Sequence, residues 1–114
     1  FIKCPIDLVT WFSLKKKYLD SSPDNIILVR VLSNSMAPIL MQGDEVMIKS
    51  AVFYPPEVGS IILFLHHRDH ATIHRIVSSV EYNNTIFYRT KGDANERKDY
   101  YLVSINEVIG VLKQ

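Results

Sequence analysis

The feature that most constrains this chain is a succession of short apolar runs separated by turn-forming residues. Each run is much shorter than the roughly 18 to 20 apolar residues that a membrane-spanning helix needs. Short strands at short spacing are typical of antiparallel sheets. The sequence therefore predicts a mainly β fold, a coiled and partly closed antiparallel sheet, preceded by one helix. The predicted strands are Ile26–Leu32, Glu45–Lys49, Ser60–Leu65, Ala71–Val80, Thr85–Thr90, Tyr100–Val103 and Glu107–Leu112.

The predicted helix extends from Ile6 to Leu19, and lysines 15–17 lie near its C-terminal end, where positive charge complements the helix dipole. This pattern favours an amphipathic helix packed against the domain. A second interpretation is an interfacial membrane helix, with Trp11 and Phe12 at the lipid headgroups and the lysines on anionic lipid. The apolar residues that share one face at helical spacing are Leu8, Trp11, Phe12 and Leu19.

Length and composition indicate one compact domain, with a helix and loop over residues 1–25 and a β-rich part over residues 26–114. Charged residues make up 22% of the 114 residues and the formal net charge is +1. Such a balance provides no basic field, so no nucleic-acid partner is expected. The single cysteine, Cys4, excludes a disulfide within the chain and a cysteine-rich metal site.

A polar stretch from Ser33 to Leu40 follows the first predicted strand. A hydroxyl just past the end of a buried strand has a fixed backbone and can serve as a nucleophile. Ser-Asn-Ser is also a common polar turn. His74 lies inside a later strand, where it is either a hydrogen-bonded strand histidine or a general base that needs no large pKa shift. Asp93 and Asp99 are either turn and loop carboxylates or candidates to orient His74.

Three further histidines, His66, His67 and His70, lie close together in sequence. They form either a metal cluster or a solvated hairpin connection. Metal sites need ligands that converge from fixed directions, and no partnering cysteine is nearby. The hairpin interpretation is therefore favoured, and no metal and no cofactor are expected.

Several motifs in order along the chain resemble type I signal peptidases (serine peptidase family S26), in the endoplasmic-reticulum and archaeal-like branch with a Ser-His rather than a Ser-Lys pair. That branch is selected by the histidine of the base motif. Four motifs in the same order make the resemblance specific, and it covers the chain from about Leu28 to Leu112. The motifs are Ser-Asn-Ser-Met-Ala-Pro at 33–38 with Gly-Asp at 43–44, Ile-His-Arg-Ile-Val at 73–77, Thr-Lys-Gly-Asp-Ala-Asn at 90–95 with Asp99, and Glu-Val-Ile-Gly-Val-Leu at 107–112.

The resemblance implies a serine endopeptidase that removes signal or leader peptides, with a fold shared with the self-cleaving repressor peptidases. Ser35 would be the nucleophile and His74 the general base. Asp99 would orient the histidine, with Asp93 as a structural or assisting carboxylate. The Ser35 backbone N–H and the Ser33 hydroxyl would hold the oxyanion.

The substrate of such an enzyme would bind as an extended strand between the chain before Ser35 and the strand that carries Ile73 and His74. Small side chains at the first and third positions before the cut would enter shallow apolar pockets lined by Met36. Asn34 stands where the family has glycine, and we expect it to tolerate positive φ at that position.

The resemblance also implies a location at a membrane, with the catalytic domain on the extracytoplasmic or lumenal side, and the N-terminal helix is a possible membrane contact. A soluble cytoplasmic protein is the alternative. Two other functions stay open: a self-cleaving repressor-type peptidase, which would use a lysine base and an upstream DNA-binding domain, and a non-catalytic domain that binds extended peptides.

Overall fold

The computed structural model describes residues 7–67 and 70–113. The described elements form one antiparallel sheet in the order β1-β2-β7-β3-β4-β5-β6, preceded by a single helix, α1. The predicted fold class, mainly β with an N-terminal helix, is confirmed. The elements are α1 (Leu8–Asp20), β1 (Ile26–Arg30), β2 (Glu45–Ser50), β3 (Ile61–His67), β4 (His70–Tyr82), β5 (Thr85–Lys91), β6 (Leu102–Ser104), a 3-10 turn (Ile105–Glu107) and β7 (Val108–Leu112).

The helix α1 begins at Leu8 because the Asp7 side chain accepts the Thr10 N–H at 2.8 Å and caps the first turn. The predicted first residue, Ile6, lies outside the described residues. Phe12 and Leu19 are buried, so the helix packs against the domain. Phe12 thus lies in the core in this structure, whereas Trp11 is half-buried. Among the described residues, no helix has the length and apolarity required to cross a membrane.

The sheet carries apolar side chains on both faces, because successive residues of a strand point to opposite sides. One core cluster includes Phe12, Leu19, Met36 and Leu63, and Ile73 packs against it. The second cluster lies on the other face; it includes Ile62, Phe64, Ile76, Tyr88, Val103 and Val108. Neighbouring residues of β4 therefore face different cores, with Ile73 on the first face and His74 near Phe64 on the second.

The hairpin between β4 and β5 turns at Asn83 and Asn84, which have φ values of 51° and 63°. Two consecutive residues with positive φ make a tight turn whose twist matches that of the flanking strands. This turn is where the sequence predicts it, and it lets β4 and β5 pair from Arg75–Lys91 to Tyr82–Thr85.

Several predicted strand ends differ from the structure. β1 ends at Arg30 rather than Leu32, and the Val31 N–H bonds the Asp44 carbonyl at 2.8 Å. β3 and β4 are longer than predicted and approach each other at His67 and His70. The hairpin interpretation of residues 66–70 is therefore wrong at its ends, because these histidines belong to strands; residues 68 and 69 lie outside the described residues.

Candidate active site

Three polar side chains from distant parts of the chain meet at His74, within β4. His74 Nε2 lies 3.2 Å from the Ser35 hydroxyl oxygen, and His74 Nδ1 lies 2.7 Å from Asp99 Oδ2. The histidine is 7% exposed. When Nδ1 carries the proton and donates a hydrogen bond to Asp99, Nε2 presents its lone pair to the Ser35 hydroxyl. This is the geometry in which a base can activate a serine nucleophile while a carboxylate orients the base.

Ser35 lies in the loop that follows β1, and hydrogen bonds on both sides fix its backbone. Its carbonyl accepts the Ala94 N–H at 2.9 Å, which ties the loop to the segment after β5. The Ser33 hydroxyl donates to the Ser35 hydroxyl at 3.2 Å and accepts the Ser35 N–H at 3.4 Å. The two groups expected to hold an oxyanion therefore lie next to each other and next to the Ser35 hydroxyl.

Asn34 stabilises the same loop in a different way from the one predicted. Its φ is not positive; the described non-glycine residues with positive φ are Asn83 and Asn84. Instead, its side-chain oxygen accepts the Gln42 N–H at 2.9 Å and its carbonyl accepts the Ala37 N–H at 3.1 Å. The tolerance of Asn34 for positive φ is therefore not needed here, and its side chain and its carbonyl each hold the loop through a hydrogen bond.

The Asp99 carboxylate is held by a residue that the sequence did not single out. Thr90 is fully buried, and its hydroxyl donates to Asp99 Oδ2 at 2.7 Å, the same oxygen that contacts His74. The Asp99 N–H also donates to the Thr90 carbonyl at 2.8 Å. Because two bonds from one residue fix this aspartate, its carboxylate points at His74 from a defined direction.

Asp93 has a different partner from Asp99. Its two oxygens each accept a bond of 2.9 Å from the guanidinium of Arg75, a bidentate ion pair. The hydrogen bonds from Arg75 hold the pKa of Asp93 below its usual range, against the opposing effect of burial. In return, the same pairing raises the pKa of Arg75. Of the two candidate acids, the structure brings Asp99 onto His74 and places Asp93 on Arg75.

Gly92 makes the close approach of these segments possible. A Cβ atom built on this glycine would lie 2.7 Å from the Ser35 carbonyl oxygen and 3.1 Å from His74 Nε2. Contacts that short do not leave room for a side chain. Gly92 is therefore required because the segment packs against the Ser35–His74 contact, in addition to any preference of glycine for a turn.

A groove of about 820 Å³ opens beside the serine and the histidine. We call it the β1–β4 groove, because its walls are residues 29–33, in and after β1, and residues 70–74 of β4. Within the described chain, β1 pairs only with β2, and β4 pairs with β5 only from Arg75 onward. Both walls therefore present unpaired strand edges to the groove. The predicted site residues that line it are Ser33, Ser35, Met36, Ile73 and His74.

Tyr101 also lines the β1–β4 groove and was not foreseen. Its ring stacks on His66 at 3.9 Å between centroids, and His66 Nδ1 lies 3.3 Å from Glu107 Oε2. Burial, with a smaller contribution from the Asp99 charge, raises the pKa of Tyr101 to about 12, so its hydroxyl stays neutral. His66 is thus part of a packed cluster, and its assignment to a solvated loop is wrong.

The described residues contain no group of three or more histidine, cysteine, aspartate or glutamate side chains that could hold a metal ion. His66 contacts Glu107 and Tyr101, and His74 contacts Asp99 and Ser35.

Comparison with known proteins adds one finding to this geometry. The family model described as "Peptidase S24-like" matches residues 7–110. This range includes α1, most of the sheet, and Ser35, His74 and Asp99. No curated protein matches the chain. The family match supports a serine peptidase or a self-cleaving repressor-type function. The match covers well over half of the chain, so this protein belongs to the peptidase S24-like family.

Proposed function

We propose that this protein is a serine endopeptidase that cleaves signal or leader peptides after small residues. The observation that carries the proposal is the relay from Ser35 through His74 to Asp99, with contacts of 3.2 and 2.7 Å, beside a groove with two unpaired strand edges. In this proposal Ser35 is the nucleophile, His74 the general base and Asp99 the carboxylate that orients the base.

The first chemical step would be attack of the Ser35 hydroxyl oxygen on the scissile carbonyl while His74 Nε2 takes the hydroxyl proton. The protonated His74 would give that proton to the leaving amine, which leaves an acyl-enzyme on Ser35. Water, deprotonated by the same nitrogen, would then hydrolyse the ester. Asp99 stabilises the positive imidazolium in both steps, and the Thr90 hydroxyl keeps its carboxylate in place.

The negative oxygen of the tetrahedral intermediate would be held by the Ser35 N–H and the Ser33 hydroxyl. In the resting structure the Ser33 hydroxyl bonds to the Ser35 hydroxyl at 3.2 Å. When Ser35 attacks, the Ser33 proton has to rotate from that oxygen to the new oxyanion. The Ser35 N–H, which donates to the Ser33 hydroxyl oxygen at 3.4 Å, also has to leave that partner, so both donors turn to the developing charge as the attack proceeds.

The β1–β4 groove supports an extended substrate. An incoming peptide strand can bond the free edge of β4 at Ala71 and Ile73, as in other cases of strand addition. Met36 is 1% exposed and lies at the groove floor beside Ser35, which leaves little depth for a side chain next to the cut. A shallow apolar floor favours small residues at the first and third positions before the cut.

The restriction to signal or leader peptides rests on the resemblance of the serine, histidine and aspartate motifs to type I signal peptidases. The same resemblance motivates a location at the extracytoplasmic or lumenal side of a membrane as part of this proposal.

A self-cleaving repressor-type peptidase is the second candidate, and the family match favours it. Self-cleavage requires that a segment of the chain itself enters the β1–β4 groove. A repressor-type peptidase would use a lysine base, whereas the base proposed here is His74, which counts against this candidate.

The test is incubation of a signal-type peptide with wild type, Ser35→Ala and His74→Ala, followed by mass spectrometry of both the peptide and the protein. We expect cleavage after a small residue by wild type and none by either variant. Ser79→Ala, at an exposed position of the same strand as His74, is the control and should cleave at the wild-type rate.

Three results would contradict the proposal. Cleavage of the protein itself, with the peptide intact, would favour the repressor-type function. Peptide binding without cleavage would favour a non-catalytic domain. Cleavage by Ser35→Ala at the wild-type rate would show that another group is the nucleophile.

A further inference from the structure

The β1–β4 groove extends beyond Met36, the residue that lines the proposed pockets for small side chains. Besides Ser35 and His74, the same cavity is lined by Leu8 and Trp11 of α1, and by Val29 and Ala71 at the start of its two walls. Both α1 side chains are only half-buried, although they are large and apolar. The helix thus adds two large apolar side chains to the groove. It packs on β1, and Trp11 and Val29 pack against the same core cluster, which favours the Val29 end of the groove for these side chains.

The alternation of side chains along β4 determines which substrate residues can reach that end. Ile73 and Ala71 lie two residues apart and point to the face of the first core, which includes Met36 and Leu63. A peptide strand paired with this edge has the same alternation. If its first residue before the cut points toward Met36, its third and fifth residues point to the same face, while the second and fourth point to the opposite one.

The distances agree with this register. Strand residues rise by roughly 3.3 Å, so the fifth residue before the cut lies about 13 Å from the first. Along the groove walls, Val29 lies four positions before Ser33, or about 13 Å, and Ala71 lies three positions before His74, or about 10 Å. The fifth side chain of the substrate therefore arrives near Val29 on one wall and one position beyond Ala71 on the other.

We infer that Leu8 and Trp11 form a subsite for a large apolar side chain at the fifth position before the cleaved bond. The subsite rests on the proposed endopeptidase function, and it narrows the substrate class. The preferred peptides would combine small residues at the first and third positions with a large apolar residue at the fifth. Arg30 and His70 also line the groove, but both are polar and exposed. The apolar contact for such a side chain is therefore provided by α1.

The experiment compares peptides that differ at one position. Leucine and serine are placed in turn at the fifth position before the cut, and a second pair differs in the same way at the fourth. For wild type we expect kcat/KM to be about tenfold higher with leucine at the fifth position, because burial of the leucine side chain against Leu8 and Trp11 is favourable and burial of a serine hydroxyl there is not. The effect should lie mainly in KM. The fourth-position pair should differ by less than about twofold.

Variants of α1 assign the preference to the helix. Trp11→Ala should reduce the fifth-position preference to less than about twofold. Trp11 also packs against the core, so Leu8→Ser, in the first helical turn, provides a second test that disturbs the core less. Leu14→Ala is the matched control, because Leu14 is 54% exposed on the same helix and lies outside the groove.

A peptide-binding measurement distinguishes an error in the proposed subsite from an error in the proposed catalytic mechanism. Fluorescence anisotropy of the same labelled peptides with Ser35→Ala reports affinity without cleavage. Tighter binding of the leucine peptide to Ser35→Ala, lost when Leu8→Ser is added, supports the subsite even if wild type cleaves nothing. Cleavage or binding that is equal for leucine and serine at the fifth position overturns the subsite and leaves the proposed endopeptidase intact.

Discussion

Two aspartates in the segment after β5 show how one residue type takes different tasks within six positions of the chain. Asp99 bonds to the buried Thr90 and to His74, so its charge is directed at the base. Asp93 bonds through both oxygens to Arg75, so its charge is neutralised within the scaffold. The two carboxylates thus differ in the partners that they bond. We therefore predict that substitution of Asp99 lowers kcat, whereas substitution of Asp93 lowers the free energy of unfolding.

The largest expected effect is that of Asp99→Asn. An amide in place of the carboxylate favours the wrong imidazole tautomer, so kcat should fall by about 10⁴-fold. The fold should persist, because the side chain keeps its size and can still bond to Thr90. Peptide cleavage kinetics, combined with circular dichroism, check this outcome. A variant that keeps a tenth of the wild-type kcat would show that Asp99 does not orient His74.

Gly92→Ala should give the next largest effect. The new methyl group would meet the Ser35 carbonyl at 2.7 Å and His74 Nε2 at 3.1 Å, so the nucleophile and base have to move apart. A displacement of about 1 Å is expected to lower kcat by about 10²-fold. Ala94→Ser, at an exposed position in the same segment, is the control. Wild-type kcat in Gly92→Ala would contradict the tight packing described above.

Asp93→Asn tests the other side of the comparison. We expect a loss of about 1 kcal/mol in the free energy of unfolding, since the ion pair with Arg75 is partly exposed. The kcat should fall by less than about tenfold, because the variant leaves the Asp99–His74 contact in place. Urea unfolding and peptide cleavage measure the two quantities. A kcat loss as large as that of Asp99→Asn would remove the distinction between the two carboxylates.

The pH dependence of the same variant provides a sharper test. Because Arg75 lowers the pKa of Asp93 in the folded protein, the pair stabilises the fold when Asp93 is ionised in both states. That stabilisation should be present at neutral pH and disappear as the pH falls through the lowered pKa, below the ordinary value of 3.8. The stability difference between wild type and Asp93→Asn, followed by urea unfolding, should therefore shrink in acid. A difference that grows in acid would contradict the assignment.

The smallest effect is expected for Asn34→Ala. Positive φ would make alanine costly at this position, but φ of Asn34 is not positive. The variant loses the hydrogen bond from the Gln42 N–H, which is worth about 1 kcal/mol. Thermal unfolding should show a small loss of stability, and kcat should stay within about threefold of wild type. Loss of folding would show that the backbone at Asn34 is more constrained than its φ indicates.

The sequence predicted the elements well where local patterns determine them. Alternating apolar residues mark the strands, and Asn83-Asn84 marks a turn that the backbone adopts. The different roles of Asp93 and Asp99 depend on the side chains that each meets in the folded chain, and these side chains come from other segments. The bond from Thr90 to Asp99 and the ion pair from Arg75 to Asp93 join different segments, and no local pattern predicts either pair.

Tertiary contacts changed the interpretation of two residues. His66 looked like a loop residue because it begins a polar run, but β3 continues through it and its ring stacks on Tyr101. Asn34 looked like a substitute for glycine at positive φ, but its side chain instead accepts a hydrogen bond from Gln42. In both cases a tertiary contact outweighed the local preference of the residue.

The most direct test of the central claim, that Ser35 and His74 act as a unit, is kcat/KM for Ser35→Ala, His74→Ala and the double variant. Members of one relay are strongly non-additive, because loss of either residue already abolishes the shared step. We predict that each single variant loses several orders of magnitude relative to wild type. The double variant should then match the singles within a few-fold. Losses that multiply in the double variant, or a His74→Ala enzyme with near wild-type kcat/KM, would contradict the relay.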